Sequence, residues 1–258
     1  MRCAEGGAPE NAMEGGRVRD PAVLGGMLRQ LLARADITTS RALIAASDSI
    51  ASFRVLTFPN GTSDADIDAT VAAKLPTATE RFAIRRLEIL PGRPQRTVYA
   101  TVWDRDEVRA ITETAKHAGI EASVVDLKSL CIARAVAIPS CVVLDMSSEP
   151  FEVVLIEDHV PRVWHSFKVG SDGDLGTALF EGVRPVLSFY KSSGGPGLDP
   201  TCPIVIRSEQ VLPSQMSAKL GDLAGHPVEP LQQPARVDPD LRYGPYLACV
   251  GLVMRRRA

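Results

Sequence analysis

The sequence is poor in the features that mark several common classes of protein. Only 5% of its 258 residues are aromatic, so it offers few of the stacking platforms that bind single-stranded nucleic acid. Its formal net charge is −2, whereas nucleic-acid-binding domains usually carry a strongly basic face. No apolar run approaches the roughly 18 residues of a membrane-spanning helix. We therefore expect neither nucleic-acid binding nor insertion into a membrane.

Cysteine and histidine are scarce and do not form a recognisable site. No CxxC pair occurs, and four of the five cysteines lie among apolar residues, which predicts buried free thiols in a reducing compartment. The four histidines belong to no HExxH, GxSxG or paired-carboxylate pattern. The sequence therefore predicts no catalytic residue and no metal site. The cysteines are Cys3, Cys131, Cys141, Cys202 and Cys249, and the histidines are His117, His159, His165 and His226.

The first fifty residues contain one clear helix and one strand. Residues 1–16 are small, polar and glycine-rich, which predicts disorder. Asp20 and Pro21 are a helix N-cap followed by proline at the first position, and apolar residues at helical spacing continue to about residue 35. Residues 41–47 are a short apolar strand that we expect to be buried on both faces.

Residues 51–126 have the element order β-α-β-β-α-β, a split βαβ arrangement. Ser63 caps the first helix, and Asp104 begins the second, which Gly119 ends. The strands are predicted at residues 52–58, 82–90, 97–103 and 121–126, with a turn at 91–94.

The second half alternates strands and helices. An apolar strand at 141–144 leads into a polar turn that contains Asp145, Ser147 and Ser148. We expect Pro185 to kink or split the long helix that follows. Around this turn, the predicted elements are a helix at 127–136, strands at 152–157, 162–169 and 203–206, helices at 174–191, 214–222 and 246–254, and an extended segment at 227–230.

Several short phrases in shared order over roughly 230 residues resemble the PilM family of type IV pilus assembly proteins, relatives of FtsA within the actin-like ATPase superfamily. The phrases lie at residues 53–59, 118–120, 125–126, 133–135, 142–145, 168–171 and 249–252. The resemblance implies an α/β, actin-like (ribonuclease H-like) two-lobed fold with an incomplete first lobe and an inserted βαββαβ subdomain. The implied division is a partial first lobe at 17–50 and 127–138, the insertion at 51–126, and a second lobe at 139–258.

The chain departs from the family pattern where a nucleotide would bind. The family has Asp-x-Gly-x-x-Thr at the second phosphate turn, but here Asp145 precedes Met-Ser-Ser-Glu-Pro. Residues 207–210 likewise lack the Gly-Gly turn found near the adenine. Glycine lets backbone amides approach a phosphate closely, so no cofactor is expected. The family's opening Asp-x-Gly-Ser hairpin is also missing before Gly16, and we expect ATP with Mg²⁺ only if the true gene product contains it.

If nucleotide does bind, the resemblance implies contacts from four residues. Asp145 would act through Mg²⁺ and water, Ser147 and Ser148 would donate from their hydroxyls, and Gly170 would occupy the place of the family's Ile-Gly-Gly. The alternative is that Asp145 only caps the turn after its own strand.

The resemblance also implies a cytoplasmic scaffold of a pilus or secretion platform, associated with the inner membrane through partners. It would bind the cytoplasmic tail of a PilN-like protein in a groove near the inserted subdomain, either by strand addition or in apolar pockets. Phe53, Arg54 and Trp103 would line that groove. The alternative role of Trp103 is to cover the core of the small subdomain. The resemblance is also compatible with self-association, and the alternative function left open is an actin-like protein that binds ATP with weak or no hydrolysis.

Overall fold

The computed structural model divides into two compact units, Met1–Val125 (unit 1) and Asp126–Ala258 (unit 2). Each unit is described separately below, and the lobe boundaries given above stay predictions. The structure describes residues 3–75, 80–89, 92, 94–170, 174–193, 197–208, 212–234, 237–241 and 243–255.

The described residues contain twelve strands, seven α-helices and one short 3₁₀ helix at Asp48–Ile50. The strands are β1 (Met13–Glu14), β2 (Arg17–Val18), β3 (Arg41–Ala46), β4 (Ala51–Pro59), β5 (Phe82–Ile89), β6 (Gln95–Asp104), β7 (Glu121–Leu127), β8 (Cys141–Asp145), β9 (Phe151–Glu157), β10 (Val160–Phe167), β11 (Ile204–Arg207) and β12 (Val228–Pro230). The helices are α1 (Pro21–Arg34), α2 (Asp64–Lys74), α3 (Arg105–His117), α4 (Lys128–Ala135), α5 (Leu175–Ser192), α6 (Ser214–Ala224) and α7 (Leu247–Val253).

The N-terminal segment is structured where its composition predicts disorder. Strands β1 and β2 form a short antiparallel hairpin, and Ala12 beside it is fully buried. Gly15 and Gly16 connect the strands with φ angles of 56° and 79°. Two consecutive positive φ angles are what a tight two-residue hairpin turn requires, and glycine adopts them without strain.

The core of unit 1 is a three-stranded antiparallel sheet in the order β4-β6-β5. Helix α2 covers one face of this sheet, with Ile67 and Val71 packed against Val98, Ala100 and Val102 of β6. The helix begins where Ser63 accepts a hydrogen bond from the Asp66 amide, as its sequence predicts. The turn predicted at 91–94 lies partly outside the described residues.

Strand β7, the last strand of the β-α-β-β-α-β series, pairs with β3 and not with the three-stranded sheet. The Glu121 amide donates to the Ser40 carbonyl oxygen at 2.9 Å, and the Arg41 and Glu121 side chains form an ion pair at 3.5 Å. The prediction that β3 is buried on both faces is wrong. Only Ala46 of β3 is buried, and Leu43 is 45% exposed, because β3 has β7 as its single strand neighbour in the described part of the chain.

Unit 2 is built on a five-stranded sheet in the order β10-β9-β8-β11-β12. The first three strands are antiparallel neighbours, whereas β11 runs parallel to both β8 and β12. Alternate residues pack on opposite faces: Val142 and Leu144 contact the buried side of α5, and Cys141 and Val143 contact α4 and α7. Helices on both faces of a buried sheet are typical of α/β proteins.

Helix α5 is continuous across Pro185, so the prediction that the proline splits it into two pieces is wrong, whereas the alternative of a kink stays a prediction. A proline inside a helix costs about 3 kcal/mol. Burial of Leu179, Val183, Val186 and Tyr190 against the sheet, on both sides of the proline, outweighs that local cost.

Three of the four cysteines expected in the core, Cys131, Cys141 and Cys202, are buried. Cys249 is exposed, so that prediction is wrong at this position. Helix α7 is apolar throughout but buried on one side only, and Cys249 lies on the side away from the buried Leu247, Gly251 and Leu252. Among the described helices, none combines the length and apolar character needed to cross a bilayer.

Candidate functional site

The carboxyl ends of four strands of unit 2 lie at one edge of its sheet. Strands β8, β11 and β12 are parallel, and β10 runs the same way because β9 is antiparallel to both β8 and β10. Across this edge Asp145 pairs in register with Glu152 on one side and with Arg207 on the other. Open α/β sheets bind ligands outside the carboxyl ends of their strands, so a nucleotide site in unit 2 would lie at this edge.

The Asp145 carboxylate already accepts hydrogen bonds on both oxygens. Oδ1 accepts from the Ser147 amide at 3.1 Å and from Ser147 Oγ at 2.7 Å. Oδ2 lies 2.8 Å from Lys128 Nζ and 2.5 Å from Arg207 Nη1. The first pair of bonds is an Asx turn, which agrees with the interpretation in which Asp145 caps its own turn.

Lys128, Asp145, Glu152 and Arg207 together form a four-charge cluster. Lys128 Nζ also lies 2.7 Å from Glu152 Oε2. The remaining guanidinium nitrogens of Arg207 donate to backbone oxygens, Nε to Gly244 and Nη2 to Pro245, each at 2.6 Å. Asp145, Glu152 and Arg207 are buried, and the two cations balance the two carboxylates.

The charges in this cluster support one another despite burial. Burial disfavours the ionised form of Asp145, but the charges of Lys128 and Arg207 outweigh it and lower the pKa of the carboxyl. Burial likewise opposes the charge on Lys128, and the carboxylates of Asp145 and Glu152 outweigh it and raise the pKa of the amine. Both groups are therefore ionised at neutral pH.

The other two candidate nucleotide contacts are not part of the cluster. Ser148 is exposed in the turn, and Gly170 is exposed after the end of β10. A Cβ added to Gly170 would meet nothing within 4 Å, so no close approach requires glycine there. The neighbouring residues 171–173 lie outside the described part of the chain.

A cleft of about 510 Å³ adjoins the cluster at the carboxyl ends of β11 and β12. Its polar lining includes Arg207, Ser208, Ser217, Glu229, Gln233 and Tyr243. Among the described residues of that lining Arg207 is the basic one, and its guanidinium is bonded to Asp145, Gly244 and Pro245. Within the residues described, no group of three or more His, Cys, Asp or Glu side chains is placed to hold a metal ion.

The candidate partner-binding residues lie in unit 1, on both faces of the three-stranded sheet. Phe53 and Trp103 belong to the face opposite α2, since Phe53 pairs with Thr101 and Trp103 pairs with Ala51. Arg54 follows on the α2 side, and its Nη1 donates to the Phe53 carbonyl oxygen at 2.8 Å. The structure thus groups Phe53 with Trp103 and separates Arg54 from them.

The face opposite α2 carries an apolar patch formed by Phe53, Val55, Leu87, Tyr99 and Trp103. Val55, Tyr99 and Leu87 are aligned across the three strands. The Phe53 and Tyr99 rings stack with centroids 5.1 Å apart. Leu87 is 54% exposed, and Phe53, Val55 and Trp103 are partly buried. Within the described residues β4 pairs with β6 alone, so its outer edge can accept a further strand.

Sequence reasoning identified Asp145 but missed its partners Lys128 and Arg207. A signal exists, because Arg207 ends the apolar strand β11 as Asp145 ends β8. Opposite charges at the ends of two buried strands favour pairing, since a buried charge needs a partner. Leu87 was missed because its strand alternates weakly, with polar residues on both faces.

Solved structures share this fold over nearly the whole chain. One is a chain of a PilM-PilN type IV pilus biogenesis complex, with a TM-score of 0.67 and 18% sequence identity. The alignment covers 96% of this chain and 88% of the chain in that complex. Another is the cytoplasmic domain of EpsL, an inner-membrane component of the type II secretion system of Vibrio cholerae, with a TM-score of 0.52 and 13% sequence identity. That alignment covers 90% of this chain and 82% of the EpsL domain. No family model and no curated protein matches the sequence. The likeness confirms the actin-like α/β fold that the sequence resemblance implies.

Proposed function

We propose that this chain is a scaffold of an inner-membrane assembly platform, of a type IV pilus or a related secretion system, and that it binds the cytoplasmic tail of a PilN-like membrane protein. The observation that carries the proposal is the match over 96% of the chain to a chain of a PilM-PilN type IV pilus biogenesis complex. The match to the cytoplasmic domain of EpsL supports the same kind of platform. The chain would then be cytoplasmic and reach the membrane through its partner.

The apolar patch on β4, β5 and β6 is the proposed docking surface for the partner's tail. An extended peptide adds to a free strand edge through backbone hydrogen bonds, while alternate side chains enter apolar pockets. The outer edge of β4 offers the backbone groups, and Phe53, Leu87 and Trp103 offer the apolar contacts. The partly exposed rings of Phe53 and Trp103 can supply large contact area, whereas Tyr99 is buried.

The second candidate function is an actin-like protein that binds ATP with weak or no hydrolysis. The cleft of about 510 Å³ at the carboxyl ends of β11 and β12 favours it. Against it stands the engagement of Asp145 with Lys128, Arg207 and Ser147. Each lost charge-assisted contact to phosphate costs on the order of 1 kcal/mol or more. Scaffolding is therefore the better supported function.

Thermal unfolding with two ligands separates the two functions. The probes are a synthetic peptide of the cytoplasmic tail of a PilN-like protein and Mg-ATP. A ligand at 100 times its dissociation constant adds about 2.7 kcal/mol to the stability of the folded protein. We expect the peptide to raise the unfolding midpoint and Mg-ATP to leave it unchanged; the reverse result would favour the ATP-binding function.

A substitution within the apolar patch tests where the peptide binds. Leu87→Glu places a charge in the patch at a side chain that is already 54% exposed, so folding should be little affected. We expect it to weaken peptide binding at least tenfold in a calorimetric titration. Leu223→Glu, at a leucine of α6 that is 44% exposed, is the matched control and should bind like wild type. Equal binding by both variants would place the peptide elsewhere.

A further inference from the structure

We propose that the ammonium of Lys128 and the guanidinium of Arg207 replace the divalent cation that an actin-like fold would hold at this edge, so that unit 2 is complete without metal or nucleotide. The proposal concerns the four-charge cluster and does not depend on the partner of unit 1. It rests on three observations: the charge balance, the shared oxygen of Asp145, and the segments that the cluster connects.

Among the four described side chains of the cluster, the charge balance leaves no net negative charge for a divalent cation. Two carboxylates, Asp145 and Glu152, face two cations at separations of 2.5–2.8 Å. Mg²⁺ in proteins is normally held by one or two carboxylates together with waters and substrate phosphates. Adding Mg²⁺ here would bring four positive charges to two negative ones in a buried site, which is costly.

Both carboxylate oxygens of Asp145, to which a metal-bound water would have to bind, already have partners. Asp145 Oδ2 contacts both Lys128 Nζ and Arg207 Nη1, and Oδ1 accepts two hydrogen bonds from Ser147. A metal-bound water could reach Asp145 only after one of these contacts is broken. Breaking one partner of a buried pair leaves an uncompensated charge. The residues present therefore do not fit a resident magnesium nucleotide.

The cluster joins segments that are far apart in sequence. Lys128 connects the start of α4 to β8 and β9, and Arg207 connects β11 to β8 and to the backbone of Gly244 and Pro245 before α7. Asp145 and Arg207 are separated by 62 positions in the chain. These side chains thus hold the strand ends of unit 2 together with protein groups alone.

Wild-type protein gives the first test. Thermal unfolding is followed in EDTA, in MgCl₂ and in Mg-ATP, each at matched ionic strength. We expect the same midpoint in all three. A midpoint that rises with MgCl₂ or with Mg-ATP relative to EDTA would overturn the proposal, because the cation position would then be open to a metal.

Arg207→Gln gives the second test, since it removes one cation and leaves an excess negative charge. We expect its midpoint to fall by roughly 10 °C, and MgCl₂ to recover part of that loss although it leaves wild type unchanged. Arg162→Gln is the matched control, because Arg162 in the same unit pairs with Glu157 at 2.7 Å away from this edge. It should gain nothing from MgCl₂.

Two outcomes of the variant test count against the proposal. One is an Arg207→Gln protein that gains no stability at saturating MgCl₂, and the other is an Arg162→Gln protein that gains as much. Should Arg207→Gln fail to fold, Lys128→Gln takes its place, because that side chain is 20% exposed and its loss leaves Arg207 bonded to Asp145.

Discussion

At the scale of single residues, each unit has a buried aspartate at the end of a strand whose charge is neutralised by a basic side chain that is distant in the sequence. Asp145 ends β8 and is paired with Lys128 and Arg207. Asp104 ends β6, caps α3 by accepting from the Asp106 amide at 3.0 Å, and accepts from Arg81 Nε and Nη2 at 2.8 and 2.6 Å. In each case one carboxylate oxygen serves the local turn or cap and the other accepts the ion pair, which satisfies a group that burial would otherwise penalise.

The Asp104 pair predicts a pH-dependent stability. Hydrogen bonds from Arg81 outweigh the cost of burial, and the Asp106 amide assists, so the pKa of Asp104 is lowered in the folded protein. A lowered folded pKa stabilises the protein at pH values above the unfolded pKa of about 3.9, and this contribution is lost as the pH falls through the folded pKa. We expect Asp104→Asn to cost about 1–2 kcal/mol at pH 7 and progressively less below pH 4.

Urea unfolding at a series of pH values from 7 down to about 2.5 measures this difference. Asp222→Asn is the control, because Asp222 is exposed on α6 and its replacement should change the free energy of unfolding little at any pH. A difference between wild type and Asp104→Asn that is the same at pH 7 and at the lowest pH would show that the charge of Asp104 contributes nothing.

At the scale of helices and strands, the sequence predicts element ends well where a local signal sets them. Asp20 with Pro21, Ser63 and Asp104 each begin a helix at the expected position, and Gly119 follows α3 with a φ angle of 81°. These signals are side-chain caps and left-handed glycines that act within four residues. Their effect can therefore be read without knowing the rest of the fold.

Elements that depend on distant partners were predicted less well. The pairing of β7 with β3 and the continuation of α5 through Pro185 follow from tertiary contacts. The β1–β2 hairpin had a local signal, the two glycines at 15 and 16, which the small polar composition of the segment obscured. Propensity and composition are weak guides where packing or a two-residue turn decides the structure.

Two adjacent glycines in α1 provide a test of helix packing within unit 1. A Cβ added to Gly25 would clash with the side chain of His117 and lie 2.6 Å from the Thr114 carbonyl oxygen on α3, whereas one added to Gly26 would meet nothing within 4 Å. We expect Gly25→Ala to destabilise the protein by about 1–3 kcal/mol. Gly26→Ala should stabilise it by roughly 0.5–1 kcal/mol, because alanine loses less backbone entropy in a helix.

Chemical denaturation of the two variants measures both effects against wild type. Each serves as the control for the other, since the substitutions are identical and lie on the same helix. If Gly25→Ala proves as stable as Gly26→Ala, the close approach of α1 to α3 is not present in solution.

At the scale of the whole molecule, the order of short phrases along the sequence was enough to predict the fold, whereas the chemistry of the candidate site was not. A fold can be inferred from order because many weak signals accumulate over the chain, and the match to the PilM-PilN structure covers 96% of it. The ion pairing of Asp145 depends on two side chains, Lys128 and Arg207, which approach it only in the folded sheet. No local pattern specifies both contacts.

The two units have separate hydrophobic cores, and the two tryptophans report on them individually. Trp103 lies in unit 1 and Trp164 in unit 2. Ile67 is fully buried in the core under the β4-β6-β5 sheet, and Leu155 is fully buried in the core between the five-stranded sheet and α5. Replacing a buried leucine or isoleucine by alanine costs about 2–5 kcal/mol. We expect each substitution to lower the free energy of unfolding more for the unit that contains it than for the other unit.

Single-tryptophan proteins, Trp103→Phe and Trp164→Phe, allow urea unfolding of each unit to be followed by fluorescence. In the Trp164→Phe background, Ile67→Ala should shift the Trp103 midpoint more than Leu155→Ala does. In the Trp103→Phe background, the order of the two shifts at Trp164 should reverse. Coincident midpoints that move equally with either substitution would mean that both cores unfold in one cooperative transition, and the division into two units would then describe packing but not stability.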